Sequence, residues 1–255
     1  MRFEGRTALV TGGAGAIGLA TATRLAREGA RVAIADRDGD RAEAAAAALA
    51  HADDCTAAIG LRLDVTDERQ LADAVSRVEG ALGPVDVLVC AHGVLATGSA
   101  TETTVADWQR SLDVNLTGTF LTARAVLPGM VARGRGSIVL LSSTAGVVAE
   151  AGIAAYCASK GGVLMLGRQL AVDYARKGVR VNVLCPGWID TPFNDPAIEQ
   201  AGGREALEPF IDAMVPLGRQ GAPDEIADVI AFLASDDARY VTGSVLLADG
   251  GLTSL

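Results

Sequence analysis

The chain predicts a single α/β domain built on a doubly wound parallel sheet of about seven strands, with helices on both faces. Three observations carry that prediction. Short apolar runs alternate with helical patterns along the chain, and a glycine-rich turn follows the first run. The 255 residues include 30 glycines but only five Phe, three Tyr and two Trp, as a close-packed Ala/Val/Leu interior with many tight turns requires. Half of the residues are hydrophobic, enough for one full core, and positions 1–255 read as one unit without repeat or linker.

Composition narrows the function classes. Asp and Glu number 31 against 22 Lys and Arg, a balance of −9 with no basic run, which disfavours nucleic acid and anionic membrane surfaces as partners. No apolar leader follows Met1 and no apolar stretch approaches a membrane span of ~20 residues, so a cytoplasmic protein is expected. Cys55, Cys90, Cys157 and Cys185 lie far apart, with no CxxC and no nearby histidine pattern. They are expected to be buried, reduced thiols, and no metal site is expected.

The first unit is an apolar run at 7–10, the turn Thr11-Gly12-Gly13-Ala14-Gly15-Ala16-Ile17-Gly18, a helix pattern to Glu28, and a second apolar run at 31–35. This is a βαβ unit whose glycines let backbone N–H groups approach a pyrophosphate at a helix N-terminus. Asp36 closes the second run, where a carboxylate accepts from both hydroxyls of an adenosine ribose and repels a 2′-phosphate. Arg37 beside it is a cation that suits such a phosphate, so NADP stands as the alternative to NAD.

The alternation then continues with an Ala-rich helix over 40–51, a strand over 58–63, a helix over 67–82 and a strand over 85–89. Asp64 follows the third strand and has two readings, a contact to an adenine amino group with Val65 lining the base, or a cap for the next segment. Cys90-Ala91-His92-Gly93 follows the fourth strand at the same sheet edge, and His92 reads as a polar rim residue because no orienting partner is evident. One long helix is expected over 105–132, with Asn115 in its interior bonding inward or marking a kinked turn.

A buried strand at 136–141 ends in Ser142-Ser143-Thr144, and the helix after it carries Tyr156-Cys157-Ala158-Ser159-Lys160. Four residues apart on one helix face, Tyr156 and Lys160 act on one small volume, and a cation near a phenol favours its ionised form. A strand at 179–184 leads to Pro186-Gly187-Trp188-Ile189-Asp190-Thr191-Pro192. The segment 193–217, punctuated by Pro196, Pro209, Pro216 and Gly202-Gly203, reads as short helices forming a lid over substrate. Its apolar underside is expected from Phe193, Ile198, Leu207, Phe210, Ile211 and Met214, with Trp188 walling the pocket. Glu150, six residues before Tyr156, belongs either at the pocket rim or in solvent. A helix over 223–234 and a strand over 244–248 close the domain.

Taken together, Thr11-Gly12, Gly18, Asp36, Asp64, Asn115, Ser143, Tyr156 with Lys160, Pro186-Gly187 with Thr191, and Tyr240-Val241-Thr242-Gly243 before Asp249-Gly250-Gly251 resemble the classical short-chain dehydrogenases/reductases in order and spacing. The resemblance spans essentially the whole chain and implies a Rossmann-type NAD(P)-binding oxidoreductase that interconverts a secondary alcohol and a ketone. It implies Tyr156 as general acid/base, Lys160 lowering the phenol pKa and holding the nicotinamide ribose, Ser143 holding the substrate oxygen, and Asn115 positioning a water that links Lys160 to solvent. Ser143 is chosen over Ser142 because the family serine lies thirteen residues before its tyrosine.

The implied cofactor contacts are Gly12, Gly15, Ile17 and Gly18, Asp36 and Arg37, Asp64 and Val65, Gly93, Tyr156 and Lys160, and Pro186, Gly187, Ile189 and Thr191. The implied cofactor is NAD, the implied partner a small alcohol or ketone, and the implied assembly a homotetramer pairing the two long middle helices and the last strand. Two positions depart from the pattern: Ala16 stands where a glycine is usual, and Cys90-Ala91-His92-Gly93 stands for Asn-Asn-Ala-Gly. The altered loop keeps open a nucleotide-binding regulator or scaffold as the alternative function. Sugar-nucleotide epimerases need a further substrate domain, and enoyl reductases space their tyrosine and lysine more widely; both are disfavoured.

Overall fold

The computed structural model describes residues 1–51, 57–200 and 202–254. Seven strands form one sheet: β1 (Thr7–Thr11), β2 (Arg31–Asp36), β3 (Ala57–Arg62), β4 (Val85–Cys90), β5 (Gly136–Leu141), β6 (Val179–Pro186) and β7 (Val245–Ala248). Their order is β3-β2-β1-β4-β5-β6-β7, with every pair parallel. The chain therefore winds outward from β1 in one direction and, from β4 onward, in the other, which opens a crevice beyond the C-terminal ends of β1 and β4.

Strand alternation sorts the core into two layers. Ala8 and Val10 of β1 face one side, packed with Ala22 and Leu25 of α1 (Ala16–Arg27), Ala42 of α2 (Gly39–Ala50) and Ile230 of α9 (Pro223–Ala234). Leu9 faces the other, with Leu71 and Val78 of α3 (Glu68–Leu82), Ala123 and Met130 of α5 (Gly118–Arg133) and Val163 and Leu170 of α6 (Ala154–Tyr174). Asp67 caps α3 by accepting from the Arg69 and Gln70 amides, and Pro223 stands in the first turn of α9 with Asp224 and Glu225, as the dipole favours.

Three expectations are corrected. The helix expected over 105–132 is α4 (Val105–Ser111), a π-helical turn at Leu112–Thr117, and then α5; the interruption falls on Asn115, whose amide prefers partners outside the helix ladder. The segment 193–217 holds α7 (Asp195–Gln200) and α8 (Arg204–Met214), of which Ile198, Leu207, Ile211 and Val215 form a small cluster with Trp188 and Leu252. Phe193, Phe210 and Met214 are exposed and lie outside that cluster; the Phe193 ring stands 6.0 Å from that of Tyr156, and Phe210 is edge-on to Trp188 at 6.2 Å. Cys90 and Cys185 are buried, whereas Cys157 is partly exposed, packed beside Ala145, Ile153 and Tyr156; Cys55 lies outside the described residues. Among the described residues no helix is long and apolar enough to cross a membrane.

Candidate active site

The turn after β1 is made by close backbone approach. Gly12 takes φ 67°, and a Cβ there would lie 2.5 Å from the His92 backbone, so β1 and β4 meet with no side chain between them. A Cβ on Gly18 would lie 2.2 Å from the Gly12 carbonyl, which locks α1 against the turn. Gly15 precedes α1 at φ −74°, and a Cβ there would meet only the Gly12 carbonyl, at 3.3 Å. The first turn of α1 has neither a side-chain cap nor an acidic residue, so its N–H groups stand uncompensated at the positive end of the helix dipole. Ala16 is simply the first helical residue.

A cleft runs from this turn along Asp36, Arg37, Leu63, Asp64, Val65 and Gly93 to Phe193. Asp36 braces its rim, accepting from the Ala14 and Asp38 amides at 3.1 Å each. Arg37 is exposed, and Arg41, which the sequence did not single out, donates to the Ala14 carbonyl at 2.9 Å. Asp64 serves as the cap of a turn, one carboxylate oxygen accepting from the Thr66 amide at 2.9 Å and the Thr66 hydroxyl at 2.7 Å, while the residue still lines the cleft. Glycine-built backbone, uncapped N–H groups and a carboxylate at the far rim fit an adenine dinucleotide.

A second cavity, about 810 Å³ including its open mouth, adjoins the first and shares Ala91, His92, Gly93 and Phe193 with it. Ile17, Ser143, Glu150, Tyr156, Lys160, Pro186, Gly187, Trp188, Ile189 and Thr191 line it. Ser143 and Ser142 are separated by role: the Ser142 hydroxyl is buried and donates to the Lys160 carbonyl at 2.8 Å, leaving Ser143 to face the cavity beside Tyr156.

Lys160 is 3% exposed, and its Nζ donates to the Leu141 carbonyl at 2.8 Å; burial brings it down to about 8. The Tyr156 phenol is pushed up by burial and pulled back by the Ser143 hydroxyl. This corrects the expectation that Lys160 depresses the phenol: its Nζ sits 5.7 Å from the ring centroid and is held by a carbonyl. Desolvation outweighs an attraction at that range. Asn115 is fully buried: its amide oxygen accepts from the Val94 N–H at 2.8 Å, and its amide nitrogen donates to the Val94 carbonyl and the Ser159 hydroxyl at 3.0 and 2.9 Å. The side chain thus ties α6, between Tyr156 and Lys160, to the loop after β4.

The altered loop has its own brace. His92 is buried between two hydroxyls, with Nδ1 2.7 Å from Thr11 Oγ1 and Nε2 3.2 Å from Thr119 Oγ1. Thr119 donates its proton to the Asn115 carbonyl at 2.7 Å, so it accepts from Nε2–H, and Nδ1 in turn accepts from Thr11. Burial, aided by Lys160, holds the imidazole at about 3, so it is neutral and takes no proton from substrate at neutral pH. It replaces missing amides by linking the glycine turn, the β4 loop and the π-helical turn. Cys90 needs no such contact, since it packs in the core with its thiol pushed up to about 12.

Comparison with known proteins agrees with this geometry. The family described as enoyl-(acyl carrier protein) reductase matches residues 12–253. An "Inactive 2-(S)-hydroxypropyl-CoM dehydrogenase 2" of Xanthobacter autotrophicus is 45% identical over 90% of this chain and 97% of its own length. A cis-4-hydroxycyclohexanecarboxylate dehydrogenase of Sinomonas cyclohexanicum is 42% identical over 99% of this chain and 98% of its own. Among solved structures, a gluconate 5-dehydrogenase from Burkholderia cenocepacia in complex with NADP and tartrate superposes with a TM-score of 0.92 at 35% identity, covering 100% of this chain and 98% of that one. With a seven-stranded parallel sheet, a glycine-built cleft and relatives of this length and identity, the chain belongs to the classical short-chain dehydrogenase/reductase family of oxidoreductases.

Proposed function

We propose that the protein interconverts a secondary alcohol and a ketone with NAD as its nicotinamide cofactor and Tyr156 as general acid/base. The observation that carries this reading is the lining of one cavity by Ser143, Tyr156 and Lys160, continuous with the glycine-built cleft through Gly93. Gly12, Gly15, Ile17 and Gly18 would hold the pyrophosphate end, and Asp36, Arg37, Asp64 and Val65 the adenosine. Gly93, Pro186, Gly187, Ile189 and Thr191 would hold the nicotinamide end with Tyr156 and Lys160. When bound, the nicotinamide supplies the acceptor for the hydride leaving the carbinol carbon, the alcohol losing two electrons and the ring gaining them.

Ser143 donates to the substrate oxygen, where negative charge grows as the O–H proton leaves. In oxidation Tyr156, as phenolate, takes that proton; in reduction, as phenol, it returns one. Lys160, brought near neutrality, passes the proton onward, and Asn115 keeps Lys160 in place through Ser159 and orders the water route to solvent. The segment 193–217 acts as a lid, supported by Phe193, Asn194 and Ala197 lining the cavity.

NAD is preferred because the Asp36 carboxylate, at the end of β2 on the cleft rim, would accept from ribose hydroxyls and repel a 2′-phosphate. The carboxylate named in the Sinomonas relative's substrate is not carried over to this chain. A homotetramer is supported by exposed Phe120 on α5, Met165 and Val172 on α6, and Leu246 and Leu247 on β7. The free thiols Cys90, Cys157 and Cys185 suit a reducing cytoplasm.

The name of the Xanthobacter relative favours a second reading, a nucleotide-binding protein without turnover. Titration of NADH against NADPH, followed by nicotinamide absorbance over a panel of secondary alcohols and ketones, decides between them. Turnover by the wild type, lost in Tyr156→Phe while NADH still binds, supports the enzyme. Tight NADH binding with no turnover supports the second reading, and a preference for NADPH overturns the NAD assignment.

A further inference from the structure

The substrate cavity holds one charged group that the reaction does not use. Glu150 lines it beside Ser143, Tyr156 and Trp188, half-buried, and among the described residues no cation and no hydrogen-bond donor reaches its carboxylate. Burial without a partner raises its pKa, as desolvation of a lone carboxylate must.

The side chain is not there by loop wandering. Its loop begins in a single 3₁₀ turn at Thr144–Gly146, capped by Ser143. It ends where Gly98 pairs with Ile153, the Gly98 amide donating to the Gly152 carbonyl and the Ala154 amide to the Gly98 carbonyl at 3.2 Å. Behind it, Leu95, Ala145 and Ile153 pack on Tyr156. A half-buried carboxylate with no protein donor leaves its acceptor sites to water or to a ligand.

The rest of the lining points the same way. The other charge in the cavity is Lys160, buried and already bonded to the Leu141 carbonyl. Asn194 donates one amide N–H to the Ile189 carbonyl at 2.7 Å, and no donor among the described residues takes its side-chain carbonyl oxygen. Away from Ser143 and Tyr156 the pocket presents one negative charge, Glu150, and the Asn194 carbonyl oxygen, beside the neutral polar groups of Thr144, Thr191 and Trp188, among apolar walls. An anionic substituent finds no counter-ion there; a hydroxyl or ammonium finds two acceptors.

We infer that Glu150 is a specificity residue that selects alcohols carrying a second hydrogen-bond donor, a further hydroxyl or an ammonium group, and rejects carboxylates and sulfonates. This rests on the oxidoreductase reading above and names its substrate class.

The test holds the ring constant and changes only the second group: cyclohexanol, the cyclohexanediols, 4-aminocyclohexanol and 4-hydroxycyclohexanecarboxylate, each with wild type, Glu150→Gln and Glu150→Ala. The expected result is a kcat/KM for the best diol or the amino alcohol at least ~10-fold above cyclohexanol, with the hydroxy acid below it. In Glu150→Ala that ratio falls about 10-fold or more. Glu150→Gln keeps an acceptor, so it retains preference for a diol and loses preference for the amine, which tells the two donors apart.

Equal or better turnover of cyclohexanol or of the hydroxy acid by the wild type overturns the inference and leaves the oxidoreductase standing. So does a loss in Glu150→Ala that falls equally on every ring, since that is the mark of a structural role. No turnover of any ring while NADH still binds removes the oxidoreductase reading and this inference with it.

Discussion

The two halves of the crevice are made from different materials. The half beside β1 is backbone: glycines too close to their neighbours to carry a Cβ, and helix N–H groups left uncapped. The half beside β5 and α6 is side chain: Ser143, Tyr156 and Lys160, two of them buried and both moved from their ordinary pKa values by burial. A backbone-built site recognises by shape and dipole and tolerates no added atom where the approach is closest, at Gly12 and Gly18. A side-chain-built site is tuned by its surroundings and tolerates substitution structurally while losing its chemistry. His92 and Asn115 join the halves.

The sharpest test of that contrast is Tyr156→Phe, which should lower turnover by roughly 10²- to 10⁴-fold while leaving NADH affinity and thermal midpoint nearly unchanged. Gly18→Ala should do the reverse. The added methyl would fall 2.2 Å from the Gly12 carbonyl, and a destabilisation of about 3 kcal/mol, read as a lower urea midpoint with weakened NADH binding, is expected. If the midpoint held, the turn would be softer than described.

His92→Ala tests the joint and should cost roughly 2 kcal/mol, because it takes from the buried Thr11 hydroxyl its 2.7 Å acceptor and from Thr119 one of its two partners. It also carries a sign. His92 is neutral in the folded chain down to about 3 but charges near 6.5 when unfolded, so the wild type loses stability as pH falls below about 6.5. Between pH 7 and pH 5 that loss is up to about 2 kcal/mol, and the gap between the two urea midpoints should narrow in His92→Ala. An unchanged gap would mean that other groups set the acid response. The smallest effect is expected from Gly15→Ala, whose methyl meets one carbonyl at 3.3 Å: stability should change by less than ~1 kcal/mol, and any loss should appear in NADH affinity alone.

Much of this was legible in the chain because the signals are local. The change from an apolar run to a glycine turn to a helical period marks β1, α1 and β2 within a residue or two, and Tyr156 and Lys160 share a face by spacing alone. What was not legible depends on residues far apart. His92 gains its partners from positions 81 and 27 residues away, which no spacing rule joins to it. The place of Glu150 depends on Gly98 pairing with Ile153 across the loop, so rim and solvent read alike in the sequence. Phe193, Phe210 and Met214 fall on a 3₁₀ turn and on α8, and their exposure depends on how those pieces pack, which spacing does not give. The π-helical turn leaves no mark in composition apart from Asn115 itself.

That turn also limits how the chain can change in length. An α-helix advances ~100° per residue, and a π turn holds one residue more than its α counterpart. Deleting any one residue of 112–117 would let regular hydrogen bonding run from α4 through α5, a gain in local order. The wider turn absorbs its extra residue, so α4 and α5 would keep their faces, but the place from which Asn115 reaches Val94 and Ser159 would be lost. The irregular turn is an extra residue kept for the contacts of one side chain, and the chain is least free to be shortened where its backbone is least ideal.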